Sequence, residues 1–282
     1  MPLILPKVEQ DRITDSVLVK NEGFKPSLSL RYPKLVPHIL TYRKLQYRGR
    51  SLITRARYST VILPSVQRFV VYRHTSPLRR KLGTVNELMV EGKIRNLKIA
   101  AQKLNGLLIQ PGETFSLWSA LGEPTTSKGY VDGLLLSAGK PEMGIGGGLC
   151  QLANLLTWAV MHSELLITKR HHHSVDAFPD SGRTVPFGTG ATIFYPTLDL
   201  NFTNTSTKTF QLEVWLTETQ LCCKLRCDES SEYKYHIYEK DNCFLSIGNA
   251  KYRHNKIYIQ KLKNGEVVSD EFLYENTFPV LY

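Results

Sequence analysis

Between Gly144 and Ser174 the chain reads GIGGGLCQLANLLTWAVMHSELLITKRHHHS, and no other stretch limits the fold as tightly. Gly146, Gly147 and Gly148 allow positive φ and close backbone approach, so they predict a sharp turn. Directly after them Leu152, Leu155, Leu156 and Ala159 recur at helical spacing, which predicts a helix over residues 150–162 with Cys150 in its first turn. The run Leu134 to Leu136 ahead of Ser-Ala-Gly-Lys predicts a buried strand entering a hairpin, and LLITKRHHHS predicts a strand after the helix. Strand, glycine turn, helix and strand make a layout that presents a reactive side chain.

The flanking sequence supplies the scaffold. Residues 1–22 carry mixed charge and two early prolines, the pattern of a loosely held arm with one short strand. From Tyr42 the series Tyr42, Leu45, Gly49, Leu52, Ile53, Ala56 approximates a helix, with Arg43, Lys44, Arg48, Arg50, Arg55 and Arg57 over the rest of its surface. Pro64 and the run TSPLRRK place a boundary near residue 85. In GKIRNLKIAAQKLNG, Ile94, Leu97, Ala101 and Leu104 share one face, and Gly106 supplies a left-handed stop. Short strands follow at Leu107–Ile109 and Thr114–Ser116. Beyond the histidines, ATIFY, LDLNF, TFQLEVWL, QLCCKLRC, YKYHIYEK and KIYIQKL alternate, the last before an Asn264-Gly265 turn. The expected fold class is α+β, with a Cys-bearing helix packed on sheet and an antiparallel β-rich C-terminal third. Three regions are expected: a basic region 1–85, a Cys/His domain 86–205, and a β-rich extension 206–282.

Charge is distributed unevenly. From Gly23 to Asn86 there is no Asp or Glu, yet 14 Lys and Arg occur there; the remaining 22 basic and 25 acidic residues nearly cancel. A basic amphipathic helix in such a segment fits an anionic membrane surface, a phosphate-bearing ligand or nucleic acid, or is simply a solvated face. Nucleic acid is disfavoured, because no helix-turn-helix, zinc-finger or RNA-recognition signature accompanies the charge. No apolar run reaches the roughly 18–20 residues of a membrane span, and the N-terminus turns acidic too soon for a secretory signal. Five cysteines without an export signal are expected as reduced thiols. The chain is therefore expected in the cytoplasm, with peripheral contact to the inner face of the membrane as an extension of that expectation.

A cysteine in the first turn of a helix meets unpaired N–H groups and the positive end of the helix dipole, which favour a thiolate. If the histidine run is a strand, His171 and His173 share a face and His172 points away. One imidazole can then act as base toward Cys150, with the Gly147–Cys150 backbone and Gln151 as oxyanion donors. Zinc held by the thiolate and two imidazoles is the alternative, with Asp176, Asp180 and Asp199 as candidates either for a fourth ligand or for a triad. A non-catalytic pocket or a buried cysteine at a glycine turn fits the same residues. The expectation is no metal and no cofactor. Cys222, Cys223 and Cys227 lack a CxxC pair and are expected as core or surface thiols.

The motifs KIRNLKIAAQKLNG, PGETFS, GIGGGLCQL, RHHHS, GATIFY and LDLNFTN together resemble the VanW family. The resemblance places the family's Cys-Gln on Cys150 and Gln151 and its His-x-His-Ser on His171, His173 and Ser174. Many members follow Cys-Gln with small hydroxyl residues, where this chain has Leu152, Ala153 and Asn154. It implies an association with glycopeptide resistance and thus with cell-wall precursors, which are anionic and in part lipid-linked. On that implication Gly146, Gly147, Gly148 and Ser174, with Arg43, Lys44 and Arg48, become candidate precursor-binding residues beside a thiol-dependent hydrolase or acyltransferase site. A binding protein without catalysis is the other expectation.

Overall fold

The computed structural model describes the chain except residues 1–4, 23–32, 54–56, 80–86, 138–139 and 178–182. The boundary near 85, the tip of the hairpin and Asp180 lie outside the described residues. Among the rest, five α-helices and twelve strands form four antiparallel sheets, an α+β fold with a β-rich C-terminal third.

Helix α1 spans Lys7–Glu22 and α2 Val36–Ile53 after a 3-10 turn at Pro33–Leu35. Strand β1 (Phe69–Pro77) precedes α3 (Glu87–Leu104), β2 (Leu108–Ile109), β3 (Thr114–Ser116) and the short α4 (Leu117–Leu121). The hairpin β4–β5 (Asp132–Ser137, Lys140–Ile145) leads through the glycines into α5 (Leu149–Met161), then β6 (Leu166–Lys169) and β7 (Asn201–Thr203). The C-terminal strands are β8 (Phe210–Leu216), β9 (Gln220–Cys227), β10 (Tyr233–Ile247), β11 (Ala250–Lys263) and β12 (Glu266–Pro279).

Helix α3 buries Val90, Ile94, Leu97, Ala101 and Leu104, the stripe its 3.6-residue period requires. It ends at Gly106, whose φ of +87° turns the chain into β2. Helix α5 is different. Leu149, Leu152, Ala153 and the whole run from Leu155 to Met161 are buried, so it is enclosed on most sides rather than along one stripe. One side meets β1 and β9 of the sheet ordered β1-β9-β8-β2, another meets β6. Residues from Leu78 to Cys227 share this core, including Leu97, Leu152, Leu212 and Leu225. The C-terminal end of α5 places Trp158 and Met161 against Ile237 and Ile257, which docks the β10-β11-β12 sheet on the same helix.

Four local expectations change. Residues 7–22 form a helix, not an arm with a strand, because Ile13 and Val17 pack on Cys243, Leu245 and Ile247. Leu134 and Leu135 are only half-buried, since the β4–β5 hairpin is two-stranded and leaves one face open. Strand β6 stops at Lys169, so the histidines lie beyond it. ATIFY is irregular rather than a strand, and its last residues enter a turn closed by the Phe194–Leu198 bridge.

Candidate functional site

The glycine turn is set by contacts within the fold. A Cβ on Gly147 would stand 2.2 Å from the Gly133 carbonyl, and one on Gly148, where φ is +99°, 2.1 Å from Lys93 Cγ. The fully buried Asn96 of α3 donates to the Gly147 and Val131 carbonyls, both at 2.9 Å, and accepts from the Val131 N–H at 2.9 Å. Buried Lys93 donates to the Leu78 carbonyl. Gly146, Gly147 and Gly148 are all buried, Gly146 against Pro124, Gly147 against the hairpin and Gly148 against α3. The Leu149 and Gln151 N–H groups already donate to the Gly146 and Gly148 carbonyls.

Cys150 and Asn154, one turn apart on α5, face the segment 190–193. The Cys150 thiol donates to the Ile193 carbonyl at 3.8 Å, so the thiol holds its proton in this arrangement, and burial pushes its pKa above the ordinary thiol value. No imidazole hydrogen-bonds it among the described residues.

Asn154 fixes the protonation of His173. The Ala191 N–H can only donate, so the amide atom it meets at 2.7 Å is the oxygen of Asn154. That same oxygen lies 3.1 Å from His173 Nε2, which must therefore carry the proton. His173 Nδ1 then accepts from the Thr192 hydroxyl at 2.8 Å. Both ring nitrogens are engaged, and burial together with Arg170 pushes the pKa down to about 4. Gly190 completes the clamp: a Cβ there would come within 2.4 Å of Asn154 Oδ1.

The other candidates separate. His171 lends its carbonyl to the Thr192 N–H at 2.7 Å, while its Nε2 is buried with no hydrogen-bond partner among the described residues. Burial, then Lys169, lowers its pKa. His172 turns toward β12, edge-on to Tyr274 at 5.0 Å between ring centroids, and accepts from Arg170 at 2.9 Å. Ser174 is exposed in a bend. Gln151 donates to Ser76 Oγ at 2.9 Å and the Pro77 carbonyl at 2.8 Å, tying α5 to β1. Asp199 is buried, accepting from Ser116 Oγ at 2.6 Å and from the Trp118 and Leu200 N–H groups, which anchors the start of α4. Asp176 joins Arg183 at 2.8 Å and buried Arg253 at 3.4 Å. Among the described residues no three His, Cys, Asp or Glu side chains converge as a metal would need.

Arg43 is exposed on α2, Lys44 pairs with Glu123, and the Arg48 side chain lies outside the described residues. Tyr47 of α2 meets Tyr195 edge-on at 5.7 Å and Ser119 Oγ at 3.3 Å, which sets the basic helix against the domain core. A cleft of about 480 Å³ opens between Glu164, Lys208 and Asp228–Tyr233. It lies past the C-terminal end of α5, which is about 17 Å along the helix from Cys150 at 1.5 Å per residue, and acidic groups dominate its lining.

The residues that sequence reasoning missed are Thr192, Gly190, Ile193 and Asn96; Asn154 was visible only as an amide near the cysteine. The i, i+4 spacing of Cys150 and Asn154 puts them on one helix face, and the pair Gly188 and Gly190 signals close approach, but nothing local says that the two segments meet.

An α+β protein with a glycine turn into a buried helix, clamped by an Asn–His–Thr relay, is the class defined by this geometry, and the chain belongs to the VanW family. The family described as VanW like protein matches residues 92–226. The vancomycin B-type resistance protein VanW of Enterococcus faecalis is 30% identical over 257 residues, 90% of this chain and 94% of that protein. The uncharacterized protein YoaR of Bacillus subtilis is 30% identical over 117 residues, 40% of this chain and 36% of that protein. No solved structure matches.

Proposed function

We propose that the chain serves glycopeptide resistance as an accessory protein that binds an anionic cell-wall precursor without transforming it. The observation that carries this reading is the thiol of Cys150 donating to the Ile193 carbonyl while His173 engages both ring nitrogens elsewhere. A nucleophile needs a base within reach and a thiolate to offer, and neither condition is favoured here. The resistance context is carried over from the name of the Enterococcus faecalis relative. The sign of the ligand follows from the acid-free segment Gly23–Asn86, of which Lys34 and Arg43 stand exposed.

Cys150→Ser keeps a hydroxyl donor for the Ile193 carbonyl. Resistance in cells is expected to survive this change and to fall when Arg43 and Arg48 are reversed to Glu. The alkylation rate of Cys150 is expected to go on rising with pH past about 8.5, where that of a free thiol begins to level off. Thiol-dependent amide or ester hydrolysis, or acyl transfer, is the second reading, favoured by the place of Cys150 in the first turn of α5. A thiol pKa below about 7.5 that rises in His173→Gln, or a folded Cys150→Ser protein that confers no resistance, would establish it instead.

A further inference from the structure

Helix α2 has two faces of different character. Val36, Ile39, Leu40, Lys44 and Tyr47 turn inward, and Tyr47 and Lys44 hold the helix to Tyr195, Ser119 and Glu123. The opposite face carries His38, Tyr42 and Leu45, at i, i+4 and i+7, and the preceding 3-10 turn adds Leu35. Tyr42 and Leu45 are each 61% exposed and Leu35 49%. Leaving three large apolar side chains in water along one stripe forgoes the burial that a helix of this length ordinarily uses. Exposed Lys34 precedes the stripe, Arg43 is exposed elsewhere on the same helix, and the surrounding sequence from Gly23 to Asn86 holds no acidic residue at all.

We propose that this outward face of α2 docks on an anionic lipid bilayer. A basic helix with an apolar stripe lies in the interface plane, with aromatic and aliphatic side chains entering the acyl boundary and Lys and Arg meeting headgroup phosphates. The absence of carboxylates matters most, because a single Asp or Glu beside the stripe would be repelled by the same headgroups. Tyrosine suits that boundary, with its ring in the apolar layer and its hydroxyl in the wet one. No described helix is long and apolar enough to cross a membrane, so the contact is peripheral. Docking through α2 would hold the domain core at the bilayer surface through Tyr47 and Tyr195. The inference extends the basic-segment part of the proposed function and is independent of what Cys150 does.

Flotation of the full chain with vesicles tests it. Vesicles of phosphatidylcholine alone are compared with vesicles that also contain phosphatidylglycerol, at low and high salt, and contain no wall precursor. The wild-type chain is expected to float with the anionic vesicles only, and less so at high salt. Leu45→Glu and Tyr42→Glu are each expected to weaken that binding about tenfold or more. Because both positions are exposed, their melting temperatures should stay at the wild-type value, which separates lost docking from lost fold. Equal flotation of Leu45→Glu and wild type, flotation on neutral vesicles, or a chain that ignores both vesicle types would each overturn the proposal. So would self-association abolished by Leu45→Glu without vesicle binding, since the face would then be a protein interface. Any of these failures leaves the precursor reading to its own resistance assay.

Discussion

His173 shows how a histidine in a suggestive motif is fixed into one protonation state by its neighbours. In the folded chain its pKa is about 4, against 6.5 when free, and His162, stacked on Tyr72, is also held at about 4 by burial. Between those values the unfolded chain binds protons that the folded chain excludes, so stability rises with pH across that window. It is fully present above about pH 6.5 and is lost as pH falls toward 4. Each of the two histidines is expected to cost about 2 kcal/mol on going from pH 7 to pH 5. Urea titrations at the two pH values should show the loss, and His173→Gln should reduce it by its share whatever its effect at pH 7. An unchanged loss would mean that His173 titrates normally in the native state. The motif RHHHS was legible as special, but its role was not, because the partners Asn154 and Thr192 come from a helix and a loop about twenty positions away on either side.

At the scale of elements, glycines in two different turns separate conformational need from packing need. Gly112 has φ +75° with open space around it, whereas Gly147 is pressed against the Gly133 backbone. Gly112→Ala is expected to cost about 1–2 kcal/mol from the left-handed backbone alone. Gly147 has no positive φ, but a Cβ there would run into the β4 backbone at Gly133, and about 3 kcal/mol or more is expected from overpacking against backbone. Thermal melts of the two variants compare them directly; equal shifts would show that the hairpin yields freely. Helix α3 and strands β8 to β11 were legible because each repeats its period several times. Helix α1 was not, since Ile13 and Val17 form an apolar stripe of only two positions, and its place depends on Arg12–Glu275 and Lys256–Glu9 pairs with a distant sheet.

Across the whole molecule, Asp176 links the loop after the histidines to the C-terminal sheet. It receives Arg183, the 2%-exposed Arg253 and the Tyr282 hydroxyl, and its backbone pairs with Pro279 and Leu281. Asp176→Ala removes an acceptor shared by Arg183, Arg253 and Tyr282, and a stability loss of up to about 3–5 kcal/mol is expected from breaking a buried ion pair. Hydrogen exchange is expected to report that loss first in β10 to β12, with α3 and α5 protected longer. Uniform loss across the chain would show that the sheet and the central core unfold as one unit.

The sequence by itself determined the α+β class, the helices with repeated periods, the C-terminal antiparallel sheet and the turn into α5, because those follow from patterns that adjacent residues set. It also determined the sign of the charge on α2. Tertiary structure alone decided that Cys150 faces a carbonyl and not an imidazole, that Gln151 ties two elements together, and that the glycines accommodate Gly133 and Lys93. Those outcomes depend on contacts between residues far apart in the chain, where shape and hydrogen-bond satisfaction select one arrangement among many that the same local sequence allows.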